Sequence, residues 1–324
     1  MRSVHILDTF TAERSTARKR SRASAPRAHL KNEQSAEKTL AAMTEMLAKR
    51  LLVVIESEGT VFDSLSRKHE KAYLPAFAGC FSWGSNPAVC SSLWHRLALR
   101  SRLRGQEPLR ILLSALQLLN RAAPSIRRVA VIRALETYLT AAKPDPLSLA
   151  SYPKGSPERL ILDWIAMSDS LLEEEGYAPS FEAAARFLQT ITSIAPGAEI
   201  LVHSSCPEAI ALNQWEMAGL GNCFLRIAGS ERGNFAAYLR TALKSGYDKA
   251  PILVIGTSAS AWQAAQSVAA RFYPIMPEAE EECWKFLLET YLPAFMRGES
   301  FLAMRDSTDF MRLMLEDIDC VEAQ

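Results

Sequence analysis

Two carboxylates stand two residues apart at the end of an apolar run. Residues 51–64 read LLVVIESEGTVFDS, so Glu56 and Glu58 follow five apolar residues and precede Gly59-Thr60. A short, continuous run of Leu, Val and Ile reads as a strand buried on both faces. A strand that ends in a polar, glycine-containing turn is where open α/β sheets build ligand sites. Carboxylates in such a turn could serve as nucleophile or base. A second polar turn follows another apolar run, in ILVHSSCP at 200–207.

The elements that would position these turns follow from the same patterning. Strands are predicted near 51–56, 198–203, 222–227, 251–256 and 271–274, each short and apolar. Helical patterns at 207–218, 234–245 and 258–270 separate the last four. A βαβ series of this kind gives a parallel sheet with right-handed crossovers. Residues 57–197 contain no convincing strand. They read as helices near 89–102, 107–121, 124–142, 157–175 and 181–194. In 107–121, Leu109, Leu112, Leu113, Ala115, Leu116 and Leu119 recur at helical spacing, with Pro108 near the start. Such an insertion after the first strand would form a cap over the strand ends, where lids exclude water and select substrate. The expected organisation is a tail at 1–42, a core of 43–64 and 195–324, and a helical cap at 65–194. Two further helices are expected in 279–318, with Met304, Phe310, Met311, Leu313, Met314 and Leu315 as docking surface.

Composition limits the function classes. The 324 residues are 48% hydrophobic and 23% charged, with a net charge of +1. Overall charge therefore gives no reason to invoke nucleic acid or an anionic membrane. No apolar run reaches the roughly 20 residues needed to span a bilayer. The start lacks the apolar core of a secretory signal, so a cytoplasmic protein is expected. The six cysteines are scattered without CxxC pairs, which argues against zinc or a redox pair. His203 ends an apolar run, and a lone histidine there reads as structural. Residues 13–31, ERSTARKRSRASAPRAHLK, are rich in Arg, Ser and Ala. They read as a disordered tail, or an extension upstream of a start at Met43 or Met46. A basic arm for nucleic acid or anionic lipid and an organelle transit peptide are the other readings.

The stretch ESEGTVFDS resembles the first motif of the haloacid dehalogenase (HAD) superfamily, hhhhDxDGTxxDS. ILVHSSCP is similar to its second motif, IAGSERGNFAAYL (227–239) to the segment of the third-motif lysine, and SGYDKAPILVIGTSASAWQAA (245–265) to the fourth. FYPIMPEAEEECW (272–284) and SRLRGQEPLRILL (101–113) resemble segments of a bacterial subgroup. The resemblance runs over roughly residues 50–300 and implies a Rossmannoid core with a cap. In the family, the first aspartate attacks phosphorus and the second acts as acid and base. A lysine neutralises the nucleophile and the phosphoryl group, and the fourth-motif aspartates hold Mg²⁺.

Carried over by motif, the nucleophile is Glu56, the acid/base Glu58 and the lysine Phe235. The metal positions are Thr257 and Ala261, which supply no charge. Gly59, Thr60, and Ser204 or Ser205 correspond to phosphate or ligand contacts. Arg232 and Lys244 could replace the lysine but read as surface residues. Glu280, Glu281 and Glu282 suit a helix start, and Asp63 a helix cap. A shift of about 1 Å at a reacting group can cost ~10²-fold, and one lost charge stabiliser ~10²–10³-fold. The coincident losses therefore imply a catalytically degenerate protein that binds a small molecule or a protein partner and carries no cofactor. The alternative is a weak or altered phosphohydrolase using Glu56, for which alone Mg²⁺ would be expected. A nucleic-acid or membrane role is expected only through the basic tail.

Overall fold

Each strand is short, its apolar residues are largely buried, and together the strands form one sheet. The strands are β1 (Leu52–Glu56), β2 (Glu199–His203), β3 (Arg226–Ala228), β4 (Ile252–Gly256) and β5 (Arg271–Pro274). All are parallel, in the order β3-β2-β1-β4-β5. This is the Rossmannoid α/β sheet that the sequence predicts, with β1 at its centre. The computed structural model describes residues 51–142, 144–244, 251–299, 310 and 312, all within the unit Met43–Gln324. The basic tail at 1–42 lies outside the described residues. None of the described helices is long and apolar enough to cross a membrane.

Strand periodicity divides the core into two layers. Val53 and Ile55 face Phe187, Ile191, Trp215, Trp284 and Leu292. Leu52 and Val54 face Phe235, Leu239, Ala261, Ala264 and Phe272. Successive side chains of a strand point to opposite faces, so one apolar run serves both layers. The edge strand is shorter than its predicted 222–227. Pairing begins at Arg226, because the Cys223 amide donates to the Leu220 carbonyl in a preceding turn. Cys223 and Phe224 pack on the core without entering the ladder, and Phe224 meets Trp215 edge-on at 5.2 Å. Their hydrophobicity reflects packing, not pairing.

The insertion between β1 and β2 contains α1 (Ser64–Lys68), α2 (Leu74–Phe81), α3 (Pro87–Leu99), α4 (Pro108–Ala122), α5 (Ile126–Thr140), α6 (Pro157–Glu175) and α7 (Glu182–Ile194). A π-helical turn, His69–Tyr73, joins α1 to α2. The chain leaves and returns through one short pairing. The Asp63 amide donates to the Pro179 carbonyl at 3.0 Å and the Phe181 amide to the Val61 carbonyl at 2.9 Å. Most of these helices enclose a separate core around Phe77, Phe81, Trp94, Leu116, Leu135 and Trp164. Helix α7 instead contributes Phe187 and Ile191 to the core under the sheet. Asp63 precedes α1, but its side chain makes no capping hydrogen bond. Its φ/ψ of −73°/49° lies outside the extended geometry from which a cap reaches the first turn.

The remaining helices are α8 (Glu208–Met217), α9 (Phe235–Ala242), α10 (Ala259–Ser267), α11 (Glu280–Phe286) and α12 (Leu292–Met296). A π-helical turn, Leu287–Tyr291, joins the last two. Phe310 docks on Phe272, with ring centroids 5.3 Å apart. The other predicted docking residues, Met304, Met311, Leu313, Met314 and Leu315, lie outside the described set.

Trp284 joins the C-terminal helices to the first turn. It is fully buried, its indole N–H donates to the Thr60 carbonyl at 2.8 Å, and its ring meets Phe187 at 5.1 Å. Trp284→Ala is expected to lower stability by about 3–5 kcal/mol in urea unfolding. Trp284→Phe should cost less, since it keeps much of the volume and loses chiefly the hydrogen bond.

Candidate functional site

The strand ends bring together the residues singled out at the two polar turns. β1 pairs with β2 in a register that sets Glu56 beside His203, and with β4 through Ile55 and Ile255. Glu56, Glu58, Ser204, Ser205 and Thr257 therefore share one edge of the sheet. The turn after β1 is tight: the Gly59 amide donates to the Phe62 carbonyl and the Val61 amide to the Ser57 carbonyl, both at 3.0 Å. Gly59 has φ of +66°, and a Cβ there would lie 2.9 Å from that of Leu65. Only glycine fits that turn. Thr60 is buried inside it, and its hydroxyl has no partner among the described residues.

Glu58 points back across the site to β2. One oxygen accepts from the Ser204 hydroxyl at 2.6 Å. The other accepts from the Ser205 amide at 2.8 Å and the Ser205 hydroxyl at 3.0 Å. The carboxylate is buried, and these three bonds supply what water no longer can. Ser204 and Ser205 thus spend their donors on an anion of the chain itself.

Glu56 points the other way, to β4. Its Oε2 accepts from the amides of Thr257 at 2.8 Å and Ser258 at 3.0 Å, and its Oε1 from the Ser258 hydroxyl at 2.6 Å. Gly256 admits this approach: a Cβ there would lie 2.7 Å from that of Ala261 and 3.0 Å from Glu56 Oε2. Burial raises the Glu56 pKa, the bonds from Ser258 and Thr257 oppose that rise, and repulsion from Glu58 adds to it.

A third charged group, Arg104, enters from the inserted helices. The α3–α4 loop carries it, and its side chain is fully buried. Its Nε donates to the Thr257 hydroxyl at 2.7 Å, one terminal nitrogen to the Leu99 carbonyl at 3.2 Å, and the other approaches Glu280 at 3.4 Å. The surrounding SRLRG segment stands out in the sequence, but nothing in it places Arg104 at the strand ends. The signal was an Arg-Gly pair just before a helix; Gly105, at φ +74°, brings the backbone against Ser258.

The other candidates lie beside the site. Phe235 is buried at the start of α9 and meets the His203 ring edge-on at 5.0 Å. His203 is structural in its contacts: Nε2 bonds with the Gly233 carbonyl at 3.1 Å, and burial lowers its pKa. Ala261 is buried in α10. Arg232 is exposed and pairs with Glu208 at 3.3 Å, and Lys244 is exposed. Glu281 accepts from the amides of Glu182 and Ala183 at 2.6 and 2.9 Å, which caps α7.

Mg²⁺ requires several oxygen donors in octahedral array. The donors here do not suit it. Backbone N–H groups point at Glu56, Thr257 gives its hydroxyl hydrogen to the Ile275 carbonyl, and Ala261 offers a methyl. Among the described residues, no three His, Cys, Asp or Glu side chains gather as a metal set.

No family model and no curated protein matches the chain. Several solved structures are similar. A haloacid dehalogenase-like hydrolase from Streptococcus pneumoniae is 12% identical over 72% of this chain and 90% of its own, with a TM-score of 0.39. A proposed β-phosphoglucomutase from Thermotoga maritima is 17% identical over 74% and 99%, with a TM-score of 0.43. A predicted phosphoglycolate phosphatase from Haemophilus somnus is 12% identical over 71% and 90%, also at 0.43.

The Glu56 environment makes stability depend on pH. A carboxylate whose pKa is raised on folding binds more protons folded than unfolded, so stability falls as pH rises through that window. The window opens at the unfolded value of 4.5 and extends upward to the raised folded value. Urea unfolding across it should show this decline, and Glu56→Gln should flatten it.

Proposed function

We propose that this chain is a HAD-type protein without phosphatase turnover, which acts by binding a small molecule or a protein partner. The order of the motif-like segments along a five-stranded parallel sheet supports the family reading. The observation that carries the functional reading is the hydrogen bonding of Glu58. Its carboxylate takes the Ser204 hydroxyl together with the Ser205 amide and hydroxyl, the donors that the resemblance assigns to phosphate. A phosphoryl group would have to displace a buried carboxylate and then lie against it.

The rest of the charge pattern agrees. Phosphoryl transfer relies on cations that let a dianion approach a nucleophile. Phe235 and Ala261 are apolar, and Thr257 is bonded to Arg104 and Ile275. Glu56 would also be a poor nucleophile, because three hydrogen bonds hold its two oxygens. The combined loss corresponds to more than ~5 kcal/mol of barrier, or over ~10⁴-fold in rate.

The test is phosphate release from p-nitrophenyl phosphate with and without Mg²⁺. The expected rate is that of buffer, unchanged in Glu56→Ala. Mg²⁺-dependent release that Glu56→Ala abolishes would favour the phosphohydrolase and overturn this reading.

A further inference from the structure

We propose that Arg104 is the resident cation of this site, a charge of the chain's own that occupies the strand-end edge in place of a divalent ion. The inference rests on the site just described but concerns its charge balance and not its turnover.

The acidic side chains near the strand ends need a counter-charge. Glu56 lies at the end of β1, Glu280 starts α11, and Asp63 lies where the chain leaves the sheet. Burial lowers the Arg104 pKa, and Glu280, Glu56 and Asp63 oppose that fall. A planar guanidinium keeps its charge when desolvated better than a lysine would, and its fixed fork can meet several acceptors at once. Here each nitrogen of the fork has a partner: Nε on Thr257, one nitrogen on the Leu99 carbonyl, and one toward Glu280. The Thr257 hydroxyl accepts from Arg104 and donates to the Ile275 carbonyl at 2.9 Å. A metal ion could not share that oxygen without displacing the guanidinium. Two cations at this spot would also repel each other in a poorly solvated environment.

The loop geometry is built for this delivery. Ser101 is buried, its hydroxyl donates to the Leu97 carbonyl at 2.7 Å, and it accepts from the Leu103 amide at 3.0 Å. The Arg104 amide donates to the Ser101 carbonyl at 2.9 Å. A Cβ at Gly105 would lie 3.2 Å from that of Ser258 and 3.8 Å from Glu56 Oε1. The loop therefore lies against the site, and Arg104 fastens the inserted helices to the sheet. Lifting them away would strip a buried charge of its partners, which is strongly unfavourable.

The test uses the full chain and two readouts. Wild-type protein titrated with Mn²⁺ should leave the free-ion electron paramagnetic resonance signal unreduced at millimolar metal. Thermal unfolding of wild type, Arg104→Ala, Glu280→Gln and the double variant forms a cycle. Arg104→Ala should lower the midpoint, millimolar methylguanidinium should raise it again while leaving wild type unmoved, and Glu280→Gln should be less harmful in Arg104→Ala than in wild type. If Arg104→Ala does not fold, Arg104→Gln, which removes the charge and keeps part of the volume, replaces it in the cycle, and Glu280→Gln should again cost less there than in wild type. Stoichiometric Mn²⁺ binding by wild type would overturn the inference, as would a cycle with no coupling between Arg104→Ala and Glu280→Gln. Mn²⁺ binding without phosphatase turnover would overturn this inference alone. Metal-free turnover would overturn the proposed function alone.

Discussion

A buried carboxylate has to be answered by donors, and in this chain that requirement organises the whole strand-end edge. Glu58 follows β1 in a turn that only a left-handed glycine allows, and it finds its donors in the turn after β2. Glu56, two residues earlier, finds its donors in the turn after β4. The two side chains thus tie the central strand to both neighbours at the edge where an α/β sheet places its ligands. An unanswered carboxylate at either position would cost several kcal/mol, a large share of a domain's total stability.

Side-chain reach decides what each of these carboxylates touches. Glutamate is one bond longer than aspartate, and here that reach takes each carboxylate into hydrogen-bond contact with the neighbouring strand end. The donors are then part of the fold and not free to meet a ligand. Arg104 completes the same pattern with a positive charge brought from the inserted helices, 153 residues from its partner Thr257 in sequence. Apart from the Thr60 hydroxyl, the polar groups of this edge answer one another within the protein.

The sheet was legible in the sequence because parallel strands buried on both faces are continuous apolar runs. β1, β2, β4 and β5 announced themselves this way. β3 was overextended because Cys223 and Phe224 are apolar for packing, and periodicity does not distinguish packing from pairing. The strand-end residues Glu56, Glu58, Ser204, Ser205 and Thr257 were legible from their places after those runs. Their hydrogen bonding was not, since which donor answers which carboxylate depends on side-chain reach across strands. Arg104 was missed for the same reason: its partners Thr257 and Glu280 lie just after β4 and at the start of α11, far along the chain. Asp63 sits where a cap belongs, yet the pairing that returns the chain at Pro179 holds its backbone in another conformation.

The central claim is that Ser204 and Ser205 are already occupied by Glu58. A titration of isotopically labelled protein with inorganic phosphate, followed at the Ser204 and Ser205 amides by NMR, tests it most directly. The account predicts no saturable shift in wild type and a saturable shift in Glu58→Ala, where the donors are released. A saturable shift of the wild-type serine amides would contradict it.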